Sequence, residues 1–239
     1  MTSPDLHQLW VYLSQTPLLW LTATLCAFVV ADWVSARCGR HPLANPVVMA
    51  AGLLIGLLVA TGTPYADYFE GAQFVHFLLG PATVALAVPL WRNRRRVAEN
   101  LLPMCAALVA GSLTAIGAAV LTSWLLGAPR EVIASMAVKS TTAPIAMALA
   151  ETTGGIPSLA AVLVVLTGIL GSVVVTPLMN ALGIRDFAAR GFAVGVASHG
   201  IGTARAFHVS EEAGTFAGIA MGLNGALTAL IFLLAPLVV

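Results

Sequence analysis

The sequence has 239 residues, of which 59% are hydrophobic and 9% charged, with a mean hydropathy of +0.94. Soluble domains carry about 25% charged residues, so this chain lacks the polar surface to cover a soluble core and reads as a polytopic membrane protein. A net charge of +1 gives nucleic acid little to bind, and the three cysteines, Cys26, Cys38 and Cys105, show no metal-ligand spacing.

A helix needs about 20 mostly apolar residues to cross a bilayer. By that measure eight segments are expected, at 17–37, 43–62, 72–91, 101–127, 130–152, 156–182, 186–208 and 212–238. They are expected to form one all-α domain over 1–239, multi-pass in the inner membrane. The first 16 residues lack a basic stretch and a cleavage site, so the first span should stay as an anchor. Arg37 and Arg40 follow the first span, and RNRRR (residues 92–96) follows the third. Both should be cytoplasmic, since basic loops stay inside. Eight crossings then put both termini outside. They also put Arg185 and Arg190 outside, against the rule, unless Asp186 and nearby polar groups account for them or a later segment is re-entrant.

Four stretches interrupt the apolar spans. In HPLANPVVMA (41–50), Asn45–Pro46 suits an ordinary helix start, with proline in the first turn, or an asparagine lining a path. In LLGPATVALAVPL (78–90), Gly80–Pro81 breaks the span and Thr83 follows the break. In MAVKSTTAPIAMALAE (136–151) stands Lys139, the chain's one lysine. An ammonium in hydrocarbon costs at least about 2.5–3.5 kcal/mol. Pro144 leaves the carbonyl of residue 140 without its helical donor, and Ser140, Thr141 and Thr142 can return hydrogen bonds to freed groups. The functional reading is a docking point for an anion; the structural one is an ion pair with Glu151 or Asp32. In ASHGIGTARAF (197–207), Ser198, His199, Thr203 and Arg205 surround Gly200 and Gly202. The glycines loosen the helix and admit a backbone or a ligand. Arg205 suits a carboxylate, and His199 titrates near neutrality. Asn224, between two glycines, is accounted for by close packing and an interhelical hydrogen bond.

Two faint echoes, NPVVMA with APIAMA and GSLTAI with GALTAL, fit the inverted repeats of secondary transporters, although their offsets disagree. No HExxH, GxSxG or phosphate loop is present, so no enzyme, cofactor or metal site is expected.

The strings KSTTAPIAMALAETTGGIPSLAAVLVVLTGILG and DFAARGFAVGVASHGIGTARAF, with LGPATVALAVPLW and HPLANPVV, resemble the LrgB/CidB family of bacterial inner-membrane proteins over nearly the whole chain. Members are often labelled antiholin-like or murein-hydrolase exporters. The family includes the second half of the plastid glycolate/glycerate translocator, and bacterial relatives with a small LrgA-type partner are associated with pyruvate uptake. The resemblance implies a small monocarboxylate substrate and distant kinship with folds built on crossed broken helices.

The expected function is thus passage of a small monocarboxylate, with breaks near Pro81, Pro144 and His199 meeting at one cavity. Expected substrate contacts are Lys139, Ser140, Thr141, Thr142, Thr83, Ser198, His199, Gly200, Gly202, Thr203, Arg205 and Asn45. His199 and Glu151 are the candidates for proton coupling. Expected partners are the bilayer, the organic anion, an LrgA/CidA-type membrane protein and further copies of the chain. The opposing expectation is an antiholin-like regulator of lysis or murein hydrolase activity that has no substrate cycle.

Overall fold

The structure, a computed structural model, describes residues 17–41, 44–78, 81, 84–85 and 87–234. It is helical, with no strand among the described residues. The chain groups into two compact units, Met1–Ala85 and Leu86–Val239. Among the described residues, four helices are long and apolar enough to cross a membrane: Pro17–Arg37, Leu101–Leu125, Pro157–Ala181 and Glu211–Leu234.

In the first unit, α1 (Pro17–Arg37) packs against α2 (Pro46–Thr61) and α3 (Tyr65–Phe77). The last pair meets at Gly71, where an added Cβ would stand 2.2 Å from the Pro17 carbonyl oxygen and 2.7 Å from Trp20 Cβ. Trp20 is fully buried and meets Tyr68 edge-on. Asp32 is held by Arg40 just past the end of α1. The 16-residue α2 is apolar but shorter than the long spans. It stops at Gly62, whose φ of 64° suits glycine at a helix end.

The second unit opens with two short helices, α4 (Ala87–Arg92) and α5 (Arg94–Glu99), and then α6 (Leu101–Leu125). At 25 residues α6 spans about 37 Å, enough for a hydrocarbon core of about 30 Å. The next expected crossing is instead two helices, α7 (Arg130–Ala137) and α8 (Ala143–Thr152), separated by the unwound residues 138–142. The chain does not carry on across. After α8 it returns to α7, where Ile156 donates its N–H to Ser135 Oγ at 2.8 Å and Gly155 lies against the Ser135 backbone. Residues 130–152 therefore form a helical hairpin with its tip at 138–142.

From there α9 (Pro157–Ala181) spans the layer, and α10 (Phe187–Val209) follows. The latter is not one straight rod, because His199 has φ 41° and ψ −131°. In a straight helix Val194 and Ala206 would stand about 18 Å apart. Here they share one buried cluster with Ala213 and Ala217. A Cβ added at Gly202 would lie 2.9 Å from Val194 Cγ2 and 2.5 Å from Ser198 Cβ. The arms 187–198 and 200–209 thus run side by side, each reaching about half-way through the hydrocarbon. Finally α11 (Glu211–Leu234) crosses along the first arm, with the Gly191 and Gly195 positions set directly on the Ala213 and Ala217 carbonyls.

Ion pairs fix which ends share a face. Arg96 binds Asp186 at 3.2 Å and Glu212 at 2.5 Å, and Arg92 approaches Glu211 at 3.9 Å. The start of α6 and both ends of the α10 hairpin therefore lie on one side. Arg185 and Arg190 border Asp186 and Phe187 and so share a side with the RNRRR cluster. Of the five crossings expected in this unit, those at 101–127, 156–182 and 212–238 coincide with long apolar helices, while 130–152 and 186–208 fold back as hairpins, so eight crossings are not borne out. The segment around Gly80 and Thr83 lies largely outside the described residues, and Thr83 lies wholly outside them.

This topology makes a labelling prediction. In a background with Cys26, Cys38 and Cys105 replaced by serine, Thr153→Cys should react with an impermeant maleimide from outside. Arg185→Cys should react only from the cytoplasm. Continuous crossings require the reverse pattern.

Candidate functional site

The two hairpin tips meet at Asn224, near the middle of α11. Its side-chain amide donates to the Ser140 carbonyl at 2.8 Å and to the Val196 carbonyl at 3.3 Å. Its own oxygen accepts from Ser112 Oγ of α6. Both carbonyls are ones a helix break sets free. Pro144 has no N–H to offer residue 140. The reversal at His199 takes the N–H of residue 200 away from Val196. Asn224 is 1% exposed, so water does not substitute for it.

Lys139 stands in the outer tip, half-buried, with its Nζ donating to Ser140 Oγ at 3.3 Å. No carboxylate among the described residues lies within ion-pair distance of it. Asp32 belongs to Arg40, and Glu151 is exposed in the last turn of α8, about 13 Å along the helix from Thr142. Ser140 and Thr141 are buried, and Thr141 Oγ1 braces the turn by donating to the Val138 carbonyl at 3.0 Å. Thr142 occupies the N-cap of α8 without a side-chain capping bond.

In the inner tip, His199 is buried and its Nε2–H donates to the Val164 carbonyl of α9 at 2.8 Å. That is a packing role. Thr203 Oγ1 donates to the His199 carbonyl at 2.7 Å, so it braces the tip too. Ser198 is fully buried with no hydrogen-bond partner for its hydroxyl. Gly200 is exposed at the turn. Gly202 is not an access point, because it lets the two arms touch. On the facing helix, an added Cβ at Gly168 would lie 2.7 Å from His199 Cε1, and one at Gly171 would lie 1.7 Å from Ser198 Oγ. These two glycines, Val164, Ser112 and above all Asn224 were not among the expected site residues. Their signal was faint: one amide in an apolar span, and glycines without a partner motif.

Arg205 does not join the tips. Arg205 lies about 9 Å along its arm from His199, lining a small cavity of about 40 Å³ with Arg190, Thr176 and Met179. Asn45 caps α2, its Oδ1 accepting from the N–H groups of Val47 and Val48. Thr83 is outside the described residues.

Two larger cavities flank the first arm of the inner hairpin. One, of about 400 Å³, runs from Asn100 and Asp186 along α6 to Gly111, Val196 and Ala197. The other, of about 220 Å³, lies on the α9 side and includes Gly171 and Ser198. Neither is lined by Lys139. The tips meet at a hydrogen-bonded junction, with the open space beside the inner arm.

Electrostatically each tip contributes one helix end and one helix start, worth about −0.5 and +0.5 charge. These largely cancel, so the Lys139 ammonium decides the sign of the junction. The arrangement is a low-dielectric, net-positive spot reached by hairpins from both faces.

An all-helical membrane protein with two broken-helix hairpins is the class this fold defines. The LrgB-like family profile matches residues 24–238, and the chain belongs to that family. It is 33% identical to an uncharacterized Haemophilus influenzae protein over 92% of this chain and 94% of the relative. It is 35% identical to the uncharacterized protein YwbG of Bacillus subtilis over 77% and 82% of the two chains. It is 27% identical to the holin-like protein CidB of Staphylococcus aureus over 80% and 83%. No solved structure matches the chain.

The close approach at the inner tip is testable. Gly171→Val should drive its side chain into Ser198, and overpacking of this kind costs about 1–3 kcal/mol. The melting temperature in detergent should fall by several degrees. Gly117→Ala, with nothing within 4 Å of the new Cβ, should leave it unchanged.

Proposed function

We propose that this chain carries a small organic anion across the bacterial inner membrane, with Lys139 as its docking charge at the junction of the two tips. One observation carries the reading: the single lysine sits in an unwound intramembrane turn with no carboxylate partner among the described residues. A charge held there without a partner is costly, and a transient anionic guest offsets that cost. Ser140, which Lys139 already touches, and the uncapped start of α8 three residues on are hydrogen-bonding groups for such a guest. The substrate class is the small monocarboxylate of the glycolate, glycerate or pyruvate type, on the family resemblance.

The order of elements supports a transport plan. A span and an outward-opening hairpin (α6, α7–α8) are followed by a span and an inward-opening hairpin (α9, α10). We read this as an inverted repeat, the plan that lets one central site face either side in turn. Single charges and breaks in both halves belong to that plan.

A second reading rests on the relatives' names. CidB is called holin-like, which speaks for a holin-like membrane factor; the family resemblance adds a small partner of the LrgA/CidA type, or further copies of the chain. Those names say nothing of a substrate. The names favour this reading; the site geometry favours anion passage.

Flux separates the two. The purified protein in proteoliposomes, with and without the small partner, should take up labelled glycolate or pyruvate. Lys139→Ala should lower that uptake about 10- to 100-fold, the worth of a charge-assisted hydrogen bond. Arg205→Ala, off the junction, should lower it less. Asn45→Ala should leave uptake intact and cost α2 only about 1 kcal/mol of cap stability. Absence of flux across a panel of small acids, with and without the partner, would leave the holin-like reading standing.

A further inference from the structure

We infer that Asn224 is a positioning residue that locks the two hairpin tips into one unit, and that the inner tip is the one released first. The functional meaning rests on the anion-docking reading; the structural claim does not. The carboxamide has two N–H donors and one acceptor, and all three are engaged. The two donors go to opposite hairpins, one to Ser140 of the outer tip and one to Val196 of the inner tip. The acceptor is held by Ser112, which fixes the plane of the amide so that both donors stay aimed. Neither carbonyl has its helical donor, and both are enclosed in a layer without water. Loss of the amide therefore leaves two buried acceptors open at once, one on each side of the junction.

The two bonds are unequal. The Ser140 bond is 2.8 Å and the Val196 bond 3.3 Å. Open space is unequal in the same sense. Val138, in the outer tip, is fully buried in a cluster with Ala146, Ala150, Ala160 and Val164. The inner arm buries Phe192 and Val196 against α6 and α11, but its Ala193 and Ala197 line both larger cavities. The weaker bond and the arm with room beside it belong to the same tip. The inner hairpin is thus the one free to swing from the clamp, which exposes the Lys139 junction toward the cytoplasm while the outer tip stays closed.

Hydrogen–deuterium exchange of the full chain in nanodiscs tests this. In the wild type, residues 197–201 should exchange faster than 138–142. In Asn224→Leu, which keeps the branching and heavy-atom count but has no donors, both segments should speed up together by about tenfold or more, the size of an unsatisfied buried acceptor. The body of α9 should stay unchanged. A rise at one tip only, or at neither, overturns the proposal. If Asn224→Leu raises exchange throughout 101–234, Ser112→Ala decides. A smaller rise confined to both tips supports the clamp, and no rise at the tips overturns it. Labelled glycolate binding is read on the same samples. Tips that loosen in a protein that binds no anion, mutant or wild type, sink the docking reading and leave the clamp. Binding that persists with tips unresponsive to either variant does the opposite.

Discussion

In hydrocarbon every backbone polar group needs a partner within the protein, and this fold is organised around two places where a helix gives that partner up. Pro144 withdraws one N–H, and the reversal at His199 withdraws another. One asparagine answers both. The meeting of the two hairpins is therefore not a matter of shape alone. Each tip is tolerable at mid-depth because the other tip and Asn224 are there. The surrounding glycines serve the same end. Gly168 and Gly171 let the inner tip sit against α9, and Gly191 and Gly195 let its first arm sit on α11.

The sequence showed the apolar character, the membrane setting, the family and the location of two breaks. Lys139, Pro144 and His199 stand out in a chain with few charged residues, and each proved to mark an unwound point. The freed carbonyl of residue 140 followed from Pro144 alone. What stayed hidden was direction. An apolar run of 20 or more residues satisfies the length for a crossing whether it goes straight through or folds in half. Residues 187–209 carry nothing that tells the two apart except backbone angles at one histidine. The misplaced arginines, 185 and 190, were the real clue to reversal, because basic residues on the wrong face indicate an odd number of turns.

The chemistry was less legible than the fold. Residues that looked like ligands by type, Thr203, Thr141 and Gly202, turn out to brace turns or permit contact. His199 is tied to Val164. Arg205 lies off the junction, because a reversed arm carries it back toward the face it came from. The residue that matters most for geometry, Asn224, looked like ordinary packing, and in kind it is. Its weight comes from what lies opposite it, which no single-chain pattern displays.

The dependence of the inner hairpin on Asn224 bears on biogenesis. Residues 187–209 leave the ribosome before α11 does, so during synthesis the Val196 carbonyl has no mate and the arms have no helix to lie on. The segment therefore cannot settle at depth as it emerges. Its packing partner on α11 and the mate of its Val196 carbonyl become available only once residue 224 has been made. Truncation anywhere before residue 224 would strand a half-inserted loop, the kind of product that membrane quality-control proteases remove.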